Sequence, residues 1–238
     1  MTTFAKTIAA ERPSEIALRD PRQALTWLEV DDQLNRAANA IRSAELGPER
    51  RIAVFAENGV ETAIANLGGL IGGASVVPVN FHLTAEEVAY ILSDSDSRML
   101  FVGPETAERG LAAAQQAGIS AVVGWRCEEA TLVNWDSWLE ESSGTEPDTS
   151  IKPRPNLLYT SGTTGRPKGT HLPPTMFAGG DTVEAHLENL KLNPLATLGP
   201  HLVVGPMYHT GPLSGARLLA AGAPSVILTK FDAENTLK

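Results

Sequence analysis

The sequence predicts an α/β protein: a parallel β-sheet with helices on both faces. Short apolar runs typical of buried strands alternate with segments whose apolar residues recur at helical spacing. Two helix starts are marked by capping boxes, Thr26–Glu29 and Thr84–Glu87, in which each side chain accepts a hydrogen bond from the other residue's backbone amide. With 238 residues, 42% of them hydrophobic, the chain can bury the core of one large domain or two small ones.

The elements of the first half follow in order. The box at Thr26 opens a helix whose apolar stripe ends near Gly47, and residues 51–56 follow as a short buried strand. Asn58 is predicted to cap the next helix, which leads to a strand over 74–79. The remaining elements of this half are a helix over 84–92, a strand over 98–102, a helix over 107–117 and a strand over 121–123.

The second half resumes the alternation after an interruption. Residues 140–156 are polar and proline-rich, which indicates a linker or surface loop. The later elements are a helix over 182–192, a strand over 202–205, a helix over 214–221 and a strand over 225–229. A further helix starts where the sequence ends, so we expect a truncated portion of a longer protein.

Composition excludes several classes of function. Nineteen basic residues against 28 acidic ones give a formal net charge of -9, which argues against nucleic acid or an anionic membrane as a general partner but allows a local site for one phosphate ligand. The single cysteine, Cys127, excludes an internal disulfide and a thiol metal cluster. The longest apolar stretch, 67–79, is interrupted by glycines and is too short to span a bilayer. We therefore expect a cytoplasmic protein without a transmembrane segment.

Residues 157–169, with the sequence LLYTSGTTGRPKG, carry the chemistry. Glycines let the backbone approach a ligand, successive amides can form an anion-binding nest, hydroxyls add donors, and Lys168 adds a compact positive charge. No Gly-Lys is followed by Ser or Thr as in the Walker loop, and the glycine spacing differs from the dinucleotide fingerprint. The segment predicts a polyphosphate-binding loop of another kind.

This loop resembles the signature phosphate loop of the adenylate-forming superfamily, which includes acyl-CoA synthetases, peptide-synthetase adenylation domains and beetle luciferases. The resemblance continues along the chain in order. Further segments that look like family landmarks are 27–47, 58–61, 78–92, 205–211 and 231–232.

The resemblance implies a two-step reaction. A carboxylate attacks the α-phosphate of magnesium-bound ATP to give an acyl-adenylate and pyrophosphate, and a thiol, usually that of coenzyme A, then displaces AMP. Lys168 and, in a later segment, His209 would be catalytic residues, and Thr160 would also contact Mg²⁺. The residues implied to hold the β- and γ-phosphates are Thr160, Ser161, Gly162, Thr163, Thr164, Gly165 and Lys168.

The segment around His209 is implied to meet the acid. A lone histidine is more often structural, but within Pro206-Met207-Tyr208-His209 it matches the family position near the carboxylate, and Tyr208 would form the wall or gate of the acyl pocket. The amino-acid-activating branch usually carries an aspartate here that holds the α-amino group, and this sequence does not. The expected substrate is therefore a carboxylic acid without that amine, in particular a fatty acid, which would place the enzyme in fatty acid metabolism. The other histidines, expected to be surface or structural residues, are His82, His171, His186 and His201.

The resemblance also implies the domain arrangement: two helix-flanked β-sheet subdomains of an adenylate-forming N-terminal domain, incomplete over residues 1–238. Residues from about 50 to 170 would form the first subdomain, and residues 1–45 would pack with 175–238 as part of the second. The family's adenine, ribose and hinge motifs, and its C-terminal domain with a catalytic lysine, are absent from this sequence. The chain alone is therefore expected to be close to inactive.

Two alternatives remain open. One is an acyl-AMP ligase that loads a carrier protein instead of coenzyme A. The other is a short non-catalytic nucleotide-binding module. Because half of a two-sheet domain leaves an apolar face uncovered, we expect self-association into a homo-oligomer, disorder after residue 175, or both.

Overall fold

The structure is a computed structural model that describes residues 4–160, 167–172 and 179–236. Its described helices are α1 (Phe4–Glu11), α2 (Trp27–Ser43), α3 (Val60–Ile71), α4 (Ala85–Asp94), α5 (Ala107–Ala117), α6 (Trp135–Glu140), α7 (Val183–Leu190), α8 (Thr210–Arg217) and α9 (Ala233–Thr236). Its described strands are β1 (Ile16–Arg19), β2 (Ala24–Thr26), β3 (Arg51–Phe55), β4 (Ser75–Pro78), β5 (Ser97–Val102), β6 (Ala121–Gly124), β7 (Val133–Asn134), β8 (Leu157–Thr160), β9 (Lys168–His171), β10 (His201–Val203) and β11 (Ser225–Ile227). Short 3₁₀ helices cover Pro194–Thr197 and Leu218–Ala221.

The first sheet has five strands in the order β4-β3-β5-β6-β7, and every pair is parallel. Successive residues of β3 point to opposite faces. Ile52 and Val54 join the core shared with α2 and α3, whereas Ala53 and Phe55 join the core under α4 and α5. The predicted α/β class, a parallel sheet flanked by helices, is confirmed.

Helix α3 is buried along its whole length between the first sheet and α2. Gly68 permits the close approach of α2, because a Cβ at this position would lie 2.7 Å from the Cβ of Ala37. On the opposite side, a Cβ on Gly69 would lie 2.7 Å from both Ile52 and Val76 of the sheet. Neither α3 nor any other described helix is long and apolar enough to cross a membrane.

The second sheet has the order β10-β11-β1-β2. Strands β1 and β2 form an antiparallel hairpin, and β1 pairs in parallel with β11, placing Leu18 beside Ser225. Strand β11 in turn pairs in parallel with β10. The N-terminal strands therefore pair with strands formed near the other end of the chain. Neither β1 nor β2 is predicted from the pattern, because three or four residues carry too little periodicity.

The helix starts agree with the sequence in two places and differ in two others. Both capping boxes, at Thr26 and Thr84, are confirmed. The prediction that Asn58 caps α3 is wrong: the N-cap is Gly59, and the Val60 amide donates to Asp20 Oδ2 at 3.1 Å. Helix α8 starts at Thr210, earlier than the predicted residue 214. Its first turn contains a proline, which is compatible with a helix at this position because the amide that proline lacks has no partner within the first turn.

The predicted loop 140–156 has neither helix nor strand apart from Glu140, the last residue of α6, and it is attached to α2. Arg36 Nη1 donates to the carbonyl of Ser142 at 2.9 Å, and Asn39 Nδ2 donates to that of Thr145 at 2.7 Å. The polar face of α2 thus holds this segment in place on its way to β8.

Candidate functional site

Strands β8 and β9 form a two-stranded antiparallel hairpin that carries both ends of the phosphate-loop motif. Thr160 lies opposite Lys168, so the hairpin brings these exposed residues side by side although the loop separates them in sequence. The central residues of the motif lie outside the described part of the chain. They include the predicted phosphate ligands Ser161, Gly162, Thr163, Thr164 and Gly165.

Tyr159 attaches this hairpin to the first sheet's helical layer. Its hydroxyl donates to Asp94 Oδ2 at the end of α4, with an O–O distance of 2.6 Å. Burial, and then the hydrogen bond to this carboxylate, raise the pKa of Tyr159, so the phenol keeps the proton that it donates. Gly169 lies opposite, where a Cβ would be 3.2 Å from the tyrosine ring. No sequence pattern points to Asp94, because the contact spans 65 residues.

Tyr208 and His209 lie in the connection between β10 and α8. His209 is the N-cap residue of α8, but its side chain makes no capping hydrogen bond. The ring of Tyr208 packs edge-on against Phe81, with centroids 5.7 Å apart, and lies 4.3 Å from the ring of His209. Because Phe81 follows β4, this connection lies against the carboxyl-terminal edge of the first sheet.

A cavity of about 250 Å³ brings the two motifs together. The hairpin contributes Thr160 to its wall, and the β10–α8 connection contributes Tyr208 and His209. The other lining residues are Pro78, Val79, Asn80, Leu83, Ile91, Tyr159 and Pro167. Lys168 is not part of the lining but lies beside Thr160 in the hairpin register. The cavity therefore combines a largely apolar wall with a few convergent polar groups, as small-molecule sites commonly do.

Asn58 holds the β10–α8 connection in position. It is only 4% exposed, and its Nδ2 donates to the carbonyls of Gly205 and Leu228 at 2.9 and 3.1 Å. Its Oδ1 accepts from the amide of Met207 at 2.8 Å. One side chain in the connection between β3 and α3 thus fixes the backbone just before Tyr208 and just after β11. An amide residue between a buried strand and a helix predicts a helix cap, and the sequence gives no indication of these contacts.

Arg217 makes a second connection that no sequence pattern indicated. It is the last residue of α8, it is buried, and its Nη2 donates to Asn156 Oδ1 at 2.5 Å. Burial lowers its pKa to about 10, so it remains a cation at neutral pH. Asn156 directly precedes β8, so this contact links the helix that begins after His209 to the strand that carries the phosphate loop.

The described residues contain no group of three or more His, Cys, Asp or Glu side chains that could hold a metal ion. The hydroxyl of Thr160 is a hard oxygen donor, and Mg²⁺ commonly binds through few protein groups together with substrate phosphates and water. Thr160 therefore fits Mg²⁺ as a residue that would hold the ion together with nucleotide phosphates.

The remaining histidines are not grouped into any such site. His82 and His171 are exposed, and His201 is half-buried in β10. His186 is buried, with Nδ1 3.1 Å from the carbonyl oxygen of Gly179.

Comparison with known proteins identifies the class to which this fold and site belong. The model of the AMP-binding enzyme family matches residues 5–238, and the chain belongs to this family. The resemblance predicted from the phosphate loop is confirmed.

Individual relatives cover different parts of the chain. The indoleacetate–CoA ligase of Aromatoleum aromaticum is 27% identical over 233 residues, which are 96% of this chain and 45% of the ligase. The fatty acid–[acyl-carrier-protein] ligase ScoC of Streptomyces coeruleorubidus is 32% identical over 69% of this chain and 31% of its own length. The chain thus spans less than half the length of these two ligases.

A solved structure shows the same fold. The N-terminal domain of FACL13 from Mycobacterium tuberculosis, in an inhibitor-bound crystal structure, superposes with a TM-score of 0.76 at 24% identity. The superposition covers 99% of this chain and 59% of that domain.

Proposed function

We propose that the complete protein is an ATP-dependent acid–thiol ligase that activates a carboxylic acid and transfers the acyl group to coenzyme A. The observation that carries this proposal is the shared cavity of Thr160, Tyr208 and His209, with Lys168 beside Thr160. The resemblance implies phosphate binding for Thr160 and Lys168 and carboxylate binding for His209, and their proximity in a chain of the AMP-binding enzyme family supports the proposal.

In the proposed first step, a carboxylate oxygen attacks the α-phosphorus of ATP. The bond from that phosphorus to the bridging oxygen breaks, and pyrophosphate leaves with the electron pair. Lys168 and the loop 160–165 hold the β- and γ-phosphates and stabilise the charge that develops there. The Thr160 hydroxyl would hold Mg²⁺, and the ion would supply further charge neutralisation at the phosphates. His209 orients the attacking carboxylate, and Tyr208 closes the acyl side of the cavity.

In the proposed second step, the sulfur of coenzyme A attacks the acyl carbon, and AMP leaves as the thiol loses its proton. We assign this step to the complete protein, because the chain spans less than half of its ligase relatives. The chain by itself is proposed to be almost inactive.

The substrate is proposed to be a carboxylic acid with an apolar body, with a fatty acid as the leading case. Val79, Leu83 and Ile91 line the same cavity and offer an apolar surface to an acyl chain. The cytoplasm is the proposed location.

A carrier protein is the second candidate acceptor, because one relative is a fatty acid–[acyl-carrier-protein] ligase. Product analysis with coenzyme A and with a phosphopantetheinylated carrier protein distinguishes the two.

The test is pyrophosphate release by the complete enzyme, with ATP and acid varied separately. Lys168→Ala removes a charge-assisted phosphate contact worth about 1.5–3 kcal/mol, so the adenylation rate should fall roughly tenfold to a hundredfold. Thr163→Ala removes a neutral donor and should have a smaller effect. His209→Ala should raise the apparent KM for the acid, or slow its attack, while ATP binding changes little.

The matched control is Lys191→Ala, which removes a lysine at the end of α7, outside the residues that line the cavity. It should leave the adenylation rate and the apparent KM for the acid within about twofold of the unsubstituted enzyme, which corresponds to less than about 0.5 kcal/mol. An unchanged rate in Lys168→Ala would mean that the hairpin is not the phosphate site.

A further inference from the structure

A cavity of about 670 Å³ lies at the amino-terminal edge of the first sheet, opposite the edge that carries the candidate site. It is lined by residues just before β3 and β4 and by the segment that leads to β8. Four basic side chains, Arg42, Arg50, Lys152 and Arg154, form what we call the basic groove. The described lining contains no acidic side chain.

The positive charges of the basic groove are incompletely neutralised. Arg42 forms an ion pair with Asp148 at 2.7 Å. Within the described residues, Arg50, Lys152 and Arg154 form no ion pair; Arg154 Nη1 donates only to the backbone carbonyl of Glu49, at 3.2 Å. This local excess contrasts with the chain's formal charge of -9, so it does not follow from the average composition.

Arg50 is the most constrained of the four. Its Nη2 donates to the carbonyls of Ile41 and Gly72, and its Nε donates to that of Gly73, each at 3.3 Å. Burial, followed by the positive charges of Arg154 and Arg42, lowers its pKa. Like charges gathered on a partly buried surface repel one another until an anion lies between them.

The backbone around the groove is also held in an unusual conformation. Arg50 has a φ of 47°, in the left-handed region that non-glycine residues seldom adopt. The opposite wall is fixed from outside, because the carbonyl of Ile151 accepts from the Val183 amide at 2.8 Å and the carbonyl of Pro155 accepts from Ser75 Oγ at 2.8 Å. The groove is therefore bounded on both sides by anchored segments.

We propose that the basic groove binds a small phosphorylated anion with at least two negative charges. Guanidinium groups match phosphate oxygens in geometry and charge, and the cavity volume falls in the range of small-molecule sites. Ile151 and Pro153 provide an apolar surface for an uncharged part of the ligand. The groove lies at the amino-terminal edge of the first sheet, and the cavity of Thr160 and His209 lies at its carboxyl-terminal edge, with no lining residue in common. This site is therefore separate from the candidate catalytic cavity and does not depend on the proposed adenylation.

The probe is tripolyphosphate, titrated calorimetrically at low ionic strength into the full chain carrying Lys168→Ala. That background weakens binding at the β8–β9 hairpin and isolates the basic groove. We expect saturable binding at one site, which weakens as salt is added. Adding Lys152→Gln and Arg154→Gln should weaken the affinity at least tenfold. Arg50 is left intact, because its guanidinium also binds carbonyls at the ends of α2 and α3.

The matched control adds Arg12→Gln and Lys191→Gln to the same background. It removes one arginine and one lysine that are not among the groove's lining residues, and the affinity should stay within twofold. Absence of saturable binding in the Lys168→Ala chain would overturn the proposal, as would equal weakening by the two double substitutions. Tighter binding of a glutamate oligopeptide than of tripolyphosphate would instead make the groove a docking surface for an acidic protein segment and overturn the small-anion assignment.

Discussion

At the scale of single residues, the candidate site is positioned by polar side chains that join distant parts of the chain. Asn58 fixes the backbone before Tyr208, and Tyr159 is attached to Asp94. Asn58 is buried, and a buried polar group is costly to leave without a partner. Its contacts therefore hold the connection before Tyr208 in one position.

The Asn58→Ala substitution tests this positioning. It removes three hydrogen bonds and leaves the Met207 amide and the carbonyls of Gly205 and Leu228 without this partner. The free energy of unfolding should fall by about 2–4 kcal/mol, because buried groups left unpaired add their desolvation cost. Urea denaturation followed by circular dichroism measures the change.

The control for Asn58 is Asn39→Ala, which also removes hydrogen bonds to two backbone carbonyls, those of Ser143 and Thr145. These bonds are exposed, so water can replace them and the loss should be below about 1 kcal/mol. Equal losses in the two variants would contradict the assigned role of Asn58.

At the scale of elements, α7 has a buried histidine that makes its stability dependent on pH. Burial lowers the pKa of His186 to about 4; the Gly179 carbonyl opposes this shift, and the positive charge of Arg217 adds to it. The ordinary value is 6.5, so between pH 6.5 and 4 the unfolded chain binds a proton that the folded chain does not. The stabilisation is fully present above pH 6.5 and is lost as the pH falls toward 4.

The corresponding prediction compares urea unfolding at about pH 7.5 and pH 5. His186 should account for a loss of about 2 kcal/mol over this interval, and His186→Asn should remove that part of the pH dependence. His82→Asn, which changes an exposed histidine, should retain the full dependence. If His186→Asn and the unsubstituted chain lost equal stability, the histidine would not be the group that titrates.

At the scale of the whole molecule, the region before and along β10 exposes an unusual number of large apolar side chains. Described residues after 178 form α7, β10, α8, β11 and α9, which argues against the expected disorder after residue 175. Self-association, the other expected consequence of an uncovered apolar face, stays a prediction. The exposed apolar residues of this region are Leu192, Leu195, Leu198, Leu202 and Val204.

We therefore predict that the chain self-associates through this region and that Leu192→Glu with Leu198→Glu opposes it. These two leucines are 78% and 76% exposed, so the substitutions should not disturb the core. The dissociation constant measured by sedimentation velocity should rise at least about tenfold, or roughly 1.4 kcal/mol. Leu28→Glu, at a leucine of α2 that is 57% exposed, is the control and should change little. A chain that stays monomeric at high concentration would contradict the prediction.

The sequence by itself determined the features that depend on neighbouring residues. The capping boxes at Thr26 and Thr84, the alternation that predicts a parallel sheet and the phosphate-loop motif at 157–169 are each contained in a short window. Hydrogen bonds within one helical turn, and apolar periodicity along one strand or helix, leave a pattern that can be recognised locally. The family was also recognisable from the sequence, because each of its motifs is contained in a short window and the motifs occur in order along the chain.

Only the tertiary structure decided which distant segments meet. The pairing of β1 with β11, the contacts of Asn58, the cavity shared by Thr160 and His209, and the basic groove all join residues from separate elements. The neighbouring sequence gives no indication of these contacts. Asn58, for example, lies where a helix cap is expected, but in the structure Asp20 accepts the hydrogen bond from the first turn of α3. The physical reason is that such contacts depend on the path of the whole chain, which is set by the packing of sheets and helices that are distant in sequence.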